Sequence, residues 1–136
     1  MSLNKYKEFE VNSSSLKEVR SFSREILSQI PEAKNHDENI ILAISEAAQN
    51  IVKHAYNGKA TSDLMRIEFI YENNILTINM LDKGDPAIPA NIKPRKLDDI
   101  KPGGLGTFFI GEIMDEITFK ISKEDWVNHL TMTKKI

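Results

Sequence analysis

Glu46, Asn50 and Lys53 stand at i, i+4 and i+7 in a stretch from about Asp37 to Tyr56 where Ile41, Ile44, Ala48, Ile51, Val52 and Ala55 recur at helical spacing. At ~100° per residue the apolar set lines one side of a helix, and the three polar residues, with His54 at the margin, cluster on the other. A carboxylate, an amide and an ammonium in such a row can supply a general base, a neutral oxygen ligand for Mg2+ and a cation for a phosphate. Taken alone, a face like this is more often simply solvated. Asp82-Lys83-Gly84-Asp85-Pro86 closes a predicted strand. An Asp there can accept a hydrogen bond from an amino group, and Gly84 lets a flat ligand approach the backbone without a Cβ in the way. Asp-x-Gly is also ordinary turn chemistry after a strand. Gly103-Gly104-Leu105-Gly106 comes directly before a helix, which presents free N–H groups and the positive end of a helix dipole to an anion. It has no Gly-Lys-Ser/Thr of a Walker loop and lacks the third Gly of a dinucleotide fingerprint. By itself it reads equally well as a hinge that ends a lid.

These groups need elements to hold them, and the pattern predicts such elements along the chain. Lys5 to Val11 alternates as a short strand and ends at Asn12-Ser13-Ser14-Ser15. Ser15 with Glu18 fits a capping box for an amphipathic helix carried by Leu16, Val19, Phe22, Ile26, Leu27 and Ile30 and stopped by Pro31. The second helix closes at Asn57-Gly58. Met65, Ile67, Phe69 and Tyr71 then alternate with Arg66, Glu68 and Ile70, and Asn73-Asn74 turns the chain into Ile75 to Leu81 as a hairpin. Asp82 to Gly106, with Pro86, Pro89, Pro94 and Pro102, is a loop as long as a lid or binding loop. A short helix, Thr107 to Met114, precedes a second alternating pair, Glu116 to Ile121 and Asn128 to Lys134. The order β-α-α-β-β-lid-α-β-β predicts an α/β (α+β) fold. Its form is a two-layer sandwich of a mainly antiparallel mixed sheet with helices on one face. His36, His54 and His129 fall in different elements and read as structural. Trp126 falls in the second hairpin turn and has no assigned task.

The 136 residues make one domain, enough for a core without staples. Cysteine is absent, which removes disulfides, cysteine-ligated metals and thiol nucleophiles from consideration. With 18 Lys+Arg against 20 Asp+Glu the net charge is −2, too little to attract nucleic acid or an anionic membrane through a broad field. The start, Met1-Ser2-Leu3-Asn4-Lys5, has no apolar h-region, and no run approaches the ~18 apolar residues of a membrane span. A soluble, cytoplasmic protein with no direct nucleic-acid or membrane partner is expected.

The three segments are more specific together than apart: ISEAAQNIVKHAY (Ile44 to Tyr56), DKGDPAIP (Asp82 to Pro89) and GGLGTFFIGEIMDEI (Gly103 to Ile117) follow in that order, with a hairpin and a lid-length loop between them. On these residues, and on the Leu130 to Lys134 ending, the chain resembles the GHKL, or Bergerat-fold, ATPases. Among them it is most similar to the bacterial anti-sigma factor serine/threonine kinases. The segments look like the family's N box and its two glycine boxes.

The resemblance implies ATP and Mg2+ as cofactors and a role for each matching residue. Glu46 matches the catalytic base, Asn50 the residue that holds Mg2+, and Lys53 a phosphate-contacting Lys. Asp82 matches the Asp that receives the adenine amino group and Gly84 the Gly beneath the ring. Gly103, Gly104, Leu105, Gly106 and Thr107 match the segment that wraps the phosphates, and Arg20 lies near a partner-contacting Arg. It further implies a homodimer that phosphorylates an anti-sigma factor antagonist and sequesters a sigma factor. The lid, residues 82–106, is expected to be mobile when empty and to order around nucleotide. A nucleotide-dependent partner-binding module without kinase activity, or a simple ATPase, is the alternative.

Overall fold

Strict alternation sends Met65, Ile67, Phe69 and Tyr71 of β2 (Leu64–Glu72) to one side of a sheet, together with Leu76, Ile78 and Met80 of β3 (Ile75–Asp82), and all seven are buried. The computed structural model describes residues 2–85, 110–122 and 125–136. Within them β2 and β3 form the expected hairpin through Asn73 and Asn74, whose φ angles of 54° and 65° suit the tight turn that matches strand twist. β1 (Leu3–Glu10) pairs with β2, while β4 (Glu116–Ile121) and β5 (Asn128–Lys135) form the second hairpin and β5 lies against β3. The sheet order is β1-β2-β3-β5-β4, with every ladder antiparallel.

Two helices cover the apolar side. α1 (Leu16–Ser28) buries Val19, Ser23, Ile26 and Leu27, and α2 (Asp37–Asn50) buries Ile40, Ile41, Ala43, Ile44, Ala47 and Ala48. Phe22 stands edge-on to both Phe9 and Phe69, each ring centroid 5.7 Å away. Full burial of a side chain of this size, as at Phe9 and Phe69, contributes ~1.5–3 kcal/mol. The result is the two-layer α/β sandwich. The opposite sheet face carries polar cross-strand bonds: Arg66 to Glu8 (2.7 Å), Asn79 to Glu68 (2.9 Å) and Thr131 to Asn79 (2.8 Å). No helix among the described residues is long and apolar enough to cross a membrane.

Two local details differ from expectation. α1 is not capped by Ser15 with Glu18. Asn12 Oδ1 instead accepts from Ser15 N (3.0 Å) and from the hydroxyls of Ser14 (2.6 Å) and Ser15 (3.1 Å). Ser15 ends the 3-10 turn Ser13–Ser15 with helical angles (φ −75°, ψ −15°), so its side chain is not placed ahead of the first-turn N–H groups as an N-cap must be. The helix expected to run to Tyr56 is α-helical only to Asn50. Ile51–Ala55 form a π turn in which Tyr56 N bonds to Ile51 O at 3.3 Å. Ile51 and Ala55 both stay buried through the π turn, so apolar spacing does not reveal it. The closing Asn57-Gly58 behaves as expected, with φ of 53° and 69° and Gly58 N bonded to Val52 O at 3.0 Å.

Candidate functional site

α2 turns its apolar side into the core and its mixed side outward. Glu46 and Asn50 are half-buried, and Lys53 and His54 are exposed on the π turn that follows. π turns recur at functional sites because they break the i→i+4 ladder and re-aim carbonyls and side chains. Here the Ala55 carbonyl accepts Asp85 N at 2.8 Å, which ties the end of the helix to the chain leaving β3.

Asp82 ends β3 on its buried side and is only 3% exposed. Its Oδ1 accepts Gly84 N (2.9 Å), forming a turn, and also Asn128 Nδ2 (2.7 Å) from the facing strand. Burial raises the Asp82 carboxyl above the usual Asp range, and the bonds from Asn128 and then Gly84 oppose that rise. Gly84 is obligatory for packing: an added Cβ would lie 2.5 Å from Ala55 O and 2.8 Å from Ala55 C and Cβ. The missing side chain therefore lets two protein backbones meet.

Further bonds clamp the same corner. Tyr56 donates its hydroxyl proton to Asp63 Oδ2 (3.0 Å), and its oxygen accepts Lys83 N (3.1 Å). Desolvation is the main reason the Tyr56 hydroxyl is held well above its ordinary range, so it stays protonated and able to donate. Asn57 Nδ2 reaches Asp85 Oδ2 at 3.3 Å, and Val127 N bonds to Asp82 O at 2.9 Å. Trp126 lies under Lys83 Nζ at 5.1 Å and beside the Arg66 guanidinium at 5.5 Å.

Asp82 and Gly84 are thus brought against the end of the helix that carries Glu46, Asn50 and Lys53. Glu46 lies two and a half turns before Ala55, or ~13 Å up the axis. Gly103, Gly104, Leu105, Gly106 and Thr107, and the lid from residue 86 onward, lie outside the described residues. Residues 110–113 form a helical turn, with Ile110 and Met114 buried and Lys134 Nζ bonded to Ile113 O at 2.8 Å. The sequence reading missed Asn128, Tyr56 and Asn57. For Asn128 a signal existed: it shares strand parity with Leu130 and Met132, which puts a polar residue on the buried side. Tyr56 and Asn57 gave none beyond closing the helix.

The donor set fits a purine nucleotide with its metal: a held carboxylate for an amino group, an amide oxygen for a hard cation and a cation for phosphate. No group of three His, Cys, Asp or Glu that could hold a metal occurs among the described residues. Mg2+ suits such a place, because it commonly keeps its waters and binds mostly through substrate phosphates.

The histidine kinase-like ATPase domain model matches residues 9–134 of the chain. The chain is also 36% identical over 107 residues to the serine-protein kinase RsbW of Staphylococcus aureus strains bovine RF122 / ET3-1, MRSA252 and JH9, a match covering 73% of this chain. It spans 65% of the length of those relatives. With a helix bearing Glu46 and Asn50 set against a buried Asp82, and with this match along nearly its whole length, the chain belongs to the histidine kinase-like ATPase family, the GHKL ATPases.

Proposed function

We propose that the chain is an anti-sigma regulatory factor with ATP- and Mg2+-dependent serine/threonine-protein kinase activity, working in the cytoplasm as a homodimer. It phosphorylates an anti-sigma factor antagonist, and it sequesters a sigma factor once the modified antagonist has left. The observation that carries this reading is the anchored Asp82, held by Asn128 and Gly84 where the chain leaving β3 is tied through Asp85 N to the Ala55 carbonyl, at the end of the helix that bears Glu46, Asn50 and Lys53. Similarity to serine-protein kinases supports transfer to a hydroxyl over transfer to water.

ATP, when bound, would supply the transferable phosphoryl group, and Mg2+ would supply positive charge to offset that of the phosphates. Asp82 would accept a hydrogen bond from the adenine amino group, with Gly84 holding the adjoining backbone against Ala55. Asn50 offers its carboxamide oxygen to the metal, and Lys53 offsets phosphate charge. The phosphate role of Gly103, Gly104, Leu105, Gly106 and Thr107, which lie outside the described residues, rests on the family resemblance alone. Glu46 takes the proton of the partner's Ser or Thr hydroxyl as its oxygen bonds to phosphorus and the bond to ADP breaks.

Transfer of labelled γ-phosphate to the purified cognate antagonist tests this directly. The parent is expected to label a Ser or Thr of the antagonist, and Glu46→Gln to bind nucleotide without labelling. Nucleotide-dependent partner binding with no label would favour the binding module instead. ADP release that ignores the antagonist would favour a simple ATPase.

A further inference from the structure

Asn128 opens β5 directly opposite Asp82 in the β3–β5 register, and the residue is only 3% exposed. A buried carboxamide must satisfy its N–H groups or lose free energy. This one donates to Asp82 Oδ1 (2.7 Å), to Asp85 O (3.0 Å) and, at a longer 3.5 Å, to Gly84 O. One amide therefore grips the carboxylate and the two residues from which the following segment departs. With Gly84 N also on Oδ1 at 2.9 Å, that oxygen has two N–H donors. Among the described residues Oδ2 accepts no hydrogen bond, so Asp82 is oriented with that oxygen as the one to meet a ligand.

We infer that Asn128 is a positioning residue for base selection: by holding Asp82 Oδ1 and the 84–85 turn, it aims Oδ2 as an acceptor and so favours a purine bearing an exocyclic amino group over one bearing a carbonyl there. The inference rests on the nucleotide reading of the site and specifies how the base is chosen. A donor-only N–H on Oδ1 requires that oxygen to accept, which keeps the proton off the bridge. The carboxylate is faced by His129 on β5, by Asp63 ahead of β2 and by Tyr56 after the π turn, with Lys83 and Asp85 adjoining it along the chain. These groups are common to the parent and every Asn128 variant. A new pH response in a variant therefore reports on the Asp82–128 pair itself.

Calorimetric titration of the full chain with non-hydrolysable ATP and GTP analogues, in the presence of Mg2+, tests it. The parent should prefer the adenine analogue, and Asn128→Leu should cut the adenine-to-guanine affinity ratio roughly tenfold. In Asn128→Asp two carboxylates share one proton. Its adenine affinity should therefore fall as pH rises from about 6 to about 8, whereas the parent's stays level. The double variant Asp82→Asn/Asn128→Asp rebuilds the same carboxylate–amide pair the other way round. Its thermal midpoint is expected to return toward the parent's with selectivity still lost, because residue 82 no longer presents a carboxylate; parent-like selectivity there would overturn Asp82 Oδ2 as the acceptor that Asn128 positions. Circular dichroism checks folding, and if Asn128→Leu does not fold, the near-isosteric Asn128→Asp decides. Parent-like selectivity and a level pH response in the folded Asn128 variants overturn the inference while leaving the nucleotide site standing. A folded parent that binds neither analogue overturns both.

Discussion

Asp82, Gly84 and Asn128 hold one another through bonds of 2.7 to 2.9 Å and are reached from the helix side by Ala55, whereas along the front of α2 neither Glu46 nor Lys53 has a side-chain hydrogen bond or ion pair among the described residues. One region is already closed by protein partners. The other presents charge to solvent. The contrast follows from burial: a carboxylate that is 3% exposed must be hydrogen-bonded to be tolerable, and a half-exposed one is solvated by water at no cost to folding. Under the proposed reading the base end is held in place by protein bonds, and the phosphate and metal end is completed by what arrives. Substitutions in the first region should disturb folding or selectivity, and those in the second should disturb function alone.

The largest effect expected is on the open front. Glu46→Gln should lower phosphoryl transfer by about a thousandfold and leave the urea midpoint unchanged; a shifted midpoint would mean that Glu46 is a structural residue after all. Gly84→Ala reverses the pattern. Its Cβ would meet Ala55 backbone atoms at 2.5 and 2.8 Å, and overpacking of this kind costs about 1–3 kcal/mol in a denaturant titration.

Asn50→Ala should weaken Mg2+-dependent nucleotide binding about tenfold, with metal-free binding kept, as calorimetry with and without chelator would show. Tyr56→Phe removes the hydroxyl that joins Asp63 to Lys83 N and should cost about 1 kcal/mol of stability. Wild-type stability after that change would show the corner to be looser than its bonds suggest.

Asp82→Asn should change stability only modestly and sharpens the contrast most. Burial places the Asp82 carboxyl above its ordinary value of 3.8 in the folded chain. The folded state thus binds that proton more tightly than the unfolded one. Asp82's share of stability is then full below about pH 3.8 and is lost as pH rises through the folded value. The Asn variant cannot titrate. Its thermal midpoint should match the parent's in acid and meet or exceed it near neutrality, while its preference for ATP over GTP disappears.

Much of the fold was legible because the signals are local. Alternation at Met65 to Tyr71, the Asn73-Asn74 turn and the apolar steps of both helices each depend on residues a few positions apart, and the element order followed from them. The cap on α1 was misread because Asn12 and Ser15 are both good caps, and the choice turned on whether Ser13–Ser15 form a helical turn of their own. On the site, Glu46, Asn50, Asp82 and Gly84 were candidates by type and spacing, and the order of the three segments with the family resemblance set them apart. The close backbone contact that makes Gly84 necessary did not, since Ala55 is remote in sequence.

The chain by itself determined which segments are helix or strand, which side of each is apolar, and which segments match the ATPase family, because periodicity, turn chemistry and motif order are properties of short stretches. Only the tertiary structure decided that Asn128 would face Asp82 across 46 residues, that Tyr56 would meet Lys83 across 27, and that α2 would end in a π turn against Gly84. Those outcomes depend on strand register and on how closely a helix can approach a sheet. Both are fixed by the packing of distant residues and leave no local trace.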